Sequence, residues 1–307
     1  MSTFLLEVGT EELPADFARS VIPQLKDLVS LNLKEKRLEY GSIYCSTTPR
    51  RIVVYIEDLA DQASDFEDET KGPPVSQAFE NGSPTNAAIG FAKRLNIEPE
   101  QLEIKETSKG PFVFGKTIEH GDTSSQILKD LIPQWIYTLQ GKRFMKWGNK
   151  DMKFSRPIRW MVSLLDNNLI PLSINGTDPL IETNRLSRGH RLYVDSLLVP
   201  SASSYFSTLK QAGVLVDRDT RISLIKKLVI DASNKINATP DMPDSLLNEL
   251  VDLIESPSLI IGKIDNNYLN LPTEVLTTVM KVHQRYIPLY RKDAEKDKLA
   301  LNSKRTL

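Results

Sequence analysis

The sequence predicts an α+β protein: antiparallel sheet with packed helices in the N-terminal two thirds, then a more helical C-terminal third. Two observations predict it. Short β-branched or alternating apolar runs crowd the first 199 residues, while runs of helical period dominate after Pro200. The two kinds of run do not alternate as parallel βαβ units require. The division reads as a sheet-rich region over 1–199 and a mainly helical region over 200–307. No internal repeat of fixed period interrupts either.

Thr3 to Val8 reads as a strand closed by the Gly9-Thr10 turn. Pro14 suits a helix start because it has no amide hydrogen to satisfy. Phe17, Val21, Leu25, Leu28 and Val29 recur at helical spacing, with Pro23 predicting a kink or early break. Ser42–Ser46 and Ile52–Ile56 read as strands around Thr47-Thr48-Pro49-Arg50. Acids, Gly, Pro, Ser and Asn predict an exposed loop over Glu57–Thr85, followed by a helix over Asn86–Leu95. Leu102–Thr107 and Phe112–Ile118 form a hairpin, and a helix spans Thr123–Leu139. A second hairpin places Ile158, Trp160, Val162 and Leu164 on one strand face, turns at Asp166-Asn167-Asn168, and returns through Ile170, Leu172 and Ile174. Helices follow over Ser204–Ala212, Thr220–Ile236 and Leu246–Ile254. A strand at Ser258–Ile264 and a helix at Glu274–Arg285 come next. Lys292–Leu307 is highly charged with no evident final element, as in a frayed tail or a truncation.

The chain has 307 residues, of which 40% are hydrophobic and 26% charged, an ordinary globular composition that excludes a disordered or collagen-like chain. No apolar stretch approaches the ~18 residues of a membrane span. The N-terminus lacks the basic flank of a signal peptide, and Glu7 breaks its short apolar run. One cysteine, Cys45, supports neither an internal disulfide nor a zinc cluster, so a reduced, cytoplasmic protein is expected.

A net charge of −1 conceals an asymmetry. Met1–His120 holds 13 basic and 20 acidic residues, and Glu57–Glu69 has seven acids and no base. Lys142–Trp160 holds seven bases (Lys142, Arg143, Lys146, Lys150, Lys153, Arg156, Arg159) against Asp151 alone. There, cations interleave with Phe144, Trp147 and Trp160, a pattern suited to phosphate neutralisation and base stacking. A sheet with a basic outer face and core tryptophans fits equally well. Gly110-Pro111-Phe112-Val113-Phe114-Gly115-Lys116-Thr117 matches a P-loop pattern, but its interior favours strand and Ile-Glu-His-Gly-Asp starts no helix, so it is rejected. The three histidines are far apart: His120 sits in a turn, His283 shares a helix face with Val279 and should be packed, and His190 stands among arginines. No G-x-S-x-G elbow or metal-binding spacing occurs, and no active site emerges.

Several phrases in order resemble the β subunit of bacterial heterotetrameric glycyl-tRNA synthetase. They are Leu5-Leu6-Glu7-Val8-Gly9-Thr10-Glu11-Glu12-Leu13-Pro14, Thr48-Pro49-Arg50-Arg51, Lys71-Gly72-Pro73 and Met145-Lys146-Trp147-Gly148. Phe154-Ser155-Arg156-Pro157-Ile158-Arg159-Trp160, Gly189-His190-Arg191, Leu271-Pro272-Thr273-Glu274-Val275-Leu276 and Met280-Lys281-Val282-His283-Gln284-Arg285-Tyr286 follow. Leu192 and Ile287 stand where the family pattern leads to Phe. The resemblance covers nearly the whole chain and implies an N-terminal portion of a longer subunit with HD-like and anticodon-binding domains beyond it. It further implies an α2β2 glycine–tRNA ligase that attaches glycine to tRNA(Gly) through glycyl-adenylate. The α subunit would carry the active site, using ATP and Mg2+, and β would supply tRNA binding and assembly. No cofactor is expected on this chain and no catalytic residue is carried over. Lys142, Arg143, Lys146, Arg156 and Arg159, with Arg50, Arg51, Arg188 and Arg191, are the candidate RNA or subunit contacts. A structural assembly module without RNA contact is the alternative.

Overall fold

Strand β1 (Ser2–Thr10) is buried at every position from Phe4 to Thr10, which a strand achieves only when both sheet faces are covered. The computed structural model describes residues 1–80, 82–148 and 151–291, and the backbone of 299–305. In chain order, β1 precedes α1 (Ala15–Glu35), β2 (Ser42–Thr48), β3 (Arg51–Leu59), β4 (Phe66–Pro74) and α2 (Asn86–Leu95). Next come β5 (Glu103–Thr107), β6 (Gly110–Glu119), α3 (Ser124–Tyr137), β7 (Ile158–Leu165) and β8 (Ile181–Asn184). The C-terminal elements are α4 (Tyr205–Gln211), α5 (Arg218–Lys235), β9 (Ala238–Pro240), α6 (Asp244–Leu253), β10 (Ile260–Lys263), α7 (Thr273–Thr278), β11 (Ile287–Arg291) and β12 (Leu299–Arg305).

The main sheet runs β8-β7-β1-β3-β2, extended beyond β8 by Ser173–Ile174, with Asn168–Leu169 paired to β7. Its pairings are antiparallel except that of β7 with β8. Because side chains alternate along β1, Phe4, Leu6 and Val8 face α1 and α3, where they meet Val21, Leu25, Val29, Leu131 and Trp135. Leu5 faces the other way, with Val53, Trp160, Val162 and Leu164, against Val199, Tyr205, Leu209 and Val214. Each such side chain contributes about 1.5–3 kcal/mol when fully buried. Glu7 lies on this second face, so a carboxylate stands inside an apolar layer.

A three-stranded sheet, β4-β6-β5, packs Val113 against Phe91 of α2. Toward the C-terminus, α5 and α6 bury Ile225, Val229, Leu247 and Leu250 together, beside the four-stranded antiparallel sheet β9-β11-β12-β10. Polar contacts join these helices to the main sheet. Arg221 donates to the Thr47 carbonyl at 2.6 Å, and Thr48 donates to Glu255 at 2.5 Å. Asp252 takes Arg218 at 2.8 Å and Arg19 at 3.0 Å. Burial lowers the Arg221 pKa to about 10, with Asp252 and Glu255 opposing.

Several expectations need correction. Helix α1 runs unbroken through Pro23, because burial of Val21, Leu25, Val29 and Leu33 outweighs the ~3 kcal/mol that an interior proline costs. The segment 57–85 is not one loop: β3 extends to Leu59 and Phe66–Pro74 is an edge strand. Its acids oppose lysines, Glu69 lying across from Lys116 and pairing with Lys105. Ile158 does not share the face of Trp160, since a register shift at Gly9/Thr10 turns it into the α1 layer. The return strand of the second hairpin is only Asn168–Leu169. After α7 the chain takes a π-helical turn over Val279–His283, and His283 is exposed. Residues 299–305 form a strand where no final element was evident, while 292–298, 306 and 307 lie outside the described residues.

Candidate functional site

The chemistry gathers where β1, β7 and the turn between β2 and β3 meet. Gly9 lies directly across from Trp160 in the β1–β7 pair, and a Cβ there would sit 1.9 Å from the indole. Only glycine leaves room for that ring. The indole is 6% exposed and its Nε1 donates to Glu7 Oε1 at 2.5 Å. Ser187 Oγ donates to the same oxygen at 2.5 Å, and Tyr205 Oη donates to Oε2. Three elements are thus tied to one buried carboxylate, which removes the cost of leaving its lone pairs unmet. Burial and the Glu7 charge push the Tyr205 pKa well above its ordinary value, so it remains a donor.

Arg51 completes the inner part. It is fully buried, with Nε 3.9 Å from Glu7 and Nη2 3.4 Å from Glu255, and it donates to the Arg188 carbonyl at 2.9 Å. Burial works against its charge, but Glu255 and Glu7 prevail and its pKa is raised. Arg51 therefore acts inside the fold; its neighbour does not. Arg50 is half-buried at the turn, and its Nε and Nη1 have no hydrogen-bond partner. The guanidinium groups of Arg50, Arg51 and Arg188 lie 5.6, 5.9 and 4.8 Å from the Trp160 ring centre. Such contacts contribute roughly 0.5–2 kcal/mol each.

Above this layer a cavity of about 500 Å³ is lined by Arg50, Arg159, Trp160, Arg188 and Arg191, with Asn184, Ser196 and Asp195. Arg159 and Arg191 are exposed and pair with Glu11 at 3.4 Å and Glu12 at 2.7 Å. A second concavity, of about 560 Å³, joins Arg191 to Arg156 beside Glu11–Pro14 and Pro49. A third, of about 780 Å³, joins Arg156 to Lys142 and Arg143 along the start of α1. Phe144 holds this basic segment down, packing on Phe17 at 5.3 Å and Phe154 at 5.5 Å.

The structure thus brings Arg50, Arg159, Arg188 and Arg191 together, and Lys142, Arg143 and Arg156 together, with Arg156 and Arg191 lining one concavity between the groups. Lys146 is exposed and pairs with Asp151 at 2.6 Å, and Lys150 lies outside the described residues. The tryptophans belong to the interior: Trp160 supports the cavity from below, and half-buried Trp147 donates to the Phe154 carbonyl at 3.0 Å. Gly110–Thr117 is continuous strand, with Lys116 paired to Glu103 at 2.8 Å. The residues missed by sequence reasoning are Glu7, Ser187, Tyr205 and Glu255. Only Glu7 left a signal, a lone acid inside an apolar strand.

The glycyl-tRNA synthetase beta subunit family model matches residues 4–302. Curated relatives named glycine–tRNA ligase beta subunit include those of Picosynechococcus sp., 44% identical over 97% of this chain, and Acaryochloris marina, 43% identical over 94%. The relative from Shouchella clausii is 38% identical over 94% of the chain. The chain covers 42%, 41% and 41% of the lengths of these three, about two fifths. With a family model spanning nearly every described element, the chain belongs to the glycyl-tRNA synthetase beta subunit family.

Proposed function

We propose that this chain serves a glycine–tRNA ligase as the part that holds tRNA(Gly) and joins the enzyme together, working with a separate α subunit in an α2β2 assembly in the cytoplasm. Glycine activation, with ATP and Mg2+, belongs to the α subunit, and no cofactor is assigned to this chain. The names of the relatives support the ligase reading. The observation that carries the RNA reading is the succession of three concavities joined through Arg191 and then Arg156, the first and the last of them with a basic excess. Phosphates spaced along a strand suit cations arrayed in a groove, because each neutralised phosphate releases condensed counterions.

The test is tRNA(Gly) affinity of the intact ligase across a salt series. Lys142→Gln, Arg143→Gln and Arg156→Gln combined should weaken binding and lower the salt slope by up to about three units. An unchanged slope, with loss of α-subunit binding instead, would favour a purely structural role. ATP–pyrophosphate exchange with glycine should require the α subunit. Exchange by the β subunit alone that disappears in Lys116→Ala would overturn this division of labour.

A further inference from the structure

The cavity above Trp160 is lined by two arginines, Arg50 and Arg188, that stack near the indole. Nε and Nη1 of Arg50 are buried without a hydrogen-bond partner, as are those of Arg51, but unlike Arg51 neither Arg50 nor Arg188 has a carboxylate within ion-pair distance among the described residues. Both residues are half-buried, and at Arg50 Nε and Nη1 water replaces a partner poorly. Burial lowers the Arg50 pKa, and Arg51, Arg191 and Arg188 lower it further against the pull of Glu255. A fold that pairs Arg51 with two acids could have paired Arg50 in the same way; instead it stacks Arg50 and Arg188 near one indole and gives neither an ion pair among the described residues. Desolvated cations without a counter-charge are costly, and a cluster of them in a cavity is a candidate anion-binding site.

We propose that this cavity is a seat for one phosphate group, supplied by the backbone of an RNA strand. Guanidinium forks match phosphate oxygens in pairs, and two such forks meet a tetrahedral anion better than they meet one planar carboxylate. The lining adds neutral donors: Asn184 accepts from Leu186 N through Oδ1 at 2.6 Å, which leaves its amide N–H groups to donate, and Ser196 stands nearby. Arg159 and Arg191 surround the seat in exposed pairs with Glu11 and Glu12, and pairs of that kind are weak enough to open for a phosphate. Glu11, Glu12 and Asp195 oppose a broad acidic protein surface, whereas a single protruding phosphate reaches the floor between them. A volume of about 500 Å³ suits a nucleotide-sized group, and the neighbouring concavity past Arg191 gives the strand a path onward.

The assignment to RNA rests on the tRNA reading above, and the experiment separates the two. In the intact ligase, Arg50→Gln and Arg188→Gln should each weaken tRNA(Gly) binding about tenfold or more at low salt and reduce the salt slope by about one. Asp195→Asn, an exposed and conservative change, should tighten binding roughly threefold by removing a competing charge. Millimolar inorganic phosphate should compete with tRNA in the unaltered enzyme and lose that effect in Arg188→Gln. Thermal melting of the free variants serves as the folding control. If tRNA binds the unaltered enzyme and all three variants alike, the seat is overturned and the tRNA reading survives. If the unaltered enzyme does not bind tRNA, both fall. Saturable phosphate binding that remained in that case would assign the cavity to a free phosphorylated molecule. Loss of α-subunit binding in Arg188→Gln, with tRNA affinity intact, would identify an acidic protein partner and overturn the proposal.

Discussion

Arg50 and Arg51 are neighbours in sequence with opposite fates. Arg51 enters β3, points into the layer beneath α4, and is held by Glu7 and Glu255. Arg50 remains in the turn with no carboxylate within ion-pair distance among the described residues, although Nε and Nη1 lack a hydrogen-bond partner in both arginines. One residue of backbone separates a cation that holds the fold together from one held ready by it. The same contrast extends outward: Glu7, Ser187, Tyr205 and Thr48 complete a dense inner network, while Arg159, Arg188 and Arg191 line the open cavity above it. Burying an ion is costly, so an inner charge must be paired. An outer one need not be: Arg159 and Arg191 keep exposed, weak pairs with Glu11 and Glu12, and Arg50 and Arg188 have no ion pair among the described residues.

Perturbing the inner network should have the largest effect. Glu7→Leu removes the acceptor of Trp160, Ser187 and Tyr205 and one counterion of Arg51, and should cost about 3–5 kcal/mol in urea unfolding. A cost under about 1 kcal/mol would mean that the three donors are satisfied without Glu7. Gly9→Ala should cost about 1–3 kcal/mol by driving a methyl group into the indole, read from the same unfolding curves.

A smaller, pH-dependent effect concerns the edge of the sheet. Burial pushes the Cys45 thiol from 9.0 up to about 12, and burial with Asp217 pushes Tyr44 from 10.0 to about 12. Both folded-state pKa values lie above the unfolded ones, so their contributions are complete at low pH and disappear as pH rises toward 12. Stability should begin to fall near pH 9, and Cys45→Ala should delay the onset to near pH 10. An onset at the same pH in both proteins would remove Cys45 from the explanation. Smallest of all, Lys142→Gln and Arg143→Gln should change stability by less than about 0.5 kcal/mol, because exposed charges contribute little to folding.

Much of the fold was legible because local signals agreed with tertiary packing. Asn86–Leu95 matches its expected helix at both ends, helped by Thr85 capping Ala87 N and Asn96 in the left-handed region. Phe66–Pro74 was missed because acids and prolines disfavour strands, while an edge position beside Lys105 and Lys116 accepts them. Pro23 was misread because propensity cannot weigh an apolar face that is still unpartnered in sequence. At the site, sequence reasoning named Arg50 and Arg51 together but could not sort them. Arg50 and Arg51 differ only through Glu7 and Glu255, which lie 44 and 204 residues from Arg51 along the chain. Long-range pairing of that kind has no local periodicity. Trp160 illustrates the same point: its basic surroundings suggested base stacking, yet Gly9 and Glu7 draw it inside.

The contrast between the two arginines can be measured directly by thermal unfolding of the ligand-free subunit carrying Arg50→Gln or Arg51→Gln. Arg51→Gln takes the cation from two buried carboxylates, leaving them only neutral donors, and should lower the melting temperature by roughly ten degrees. Arg50→Gln removes an unpaired, half-buried cation and should leave the temperature unchanged or raise it by a few degrees. Equal losses in the two variants would show that Arg50 is as much a part of the scaffold as Arg51, and would contradict the division between an inner structural network and an outer binding surface.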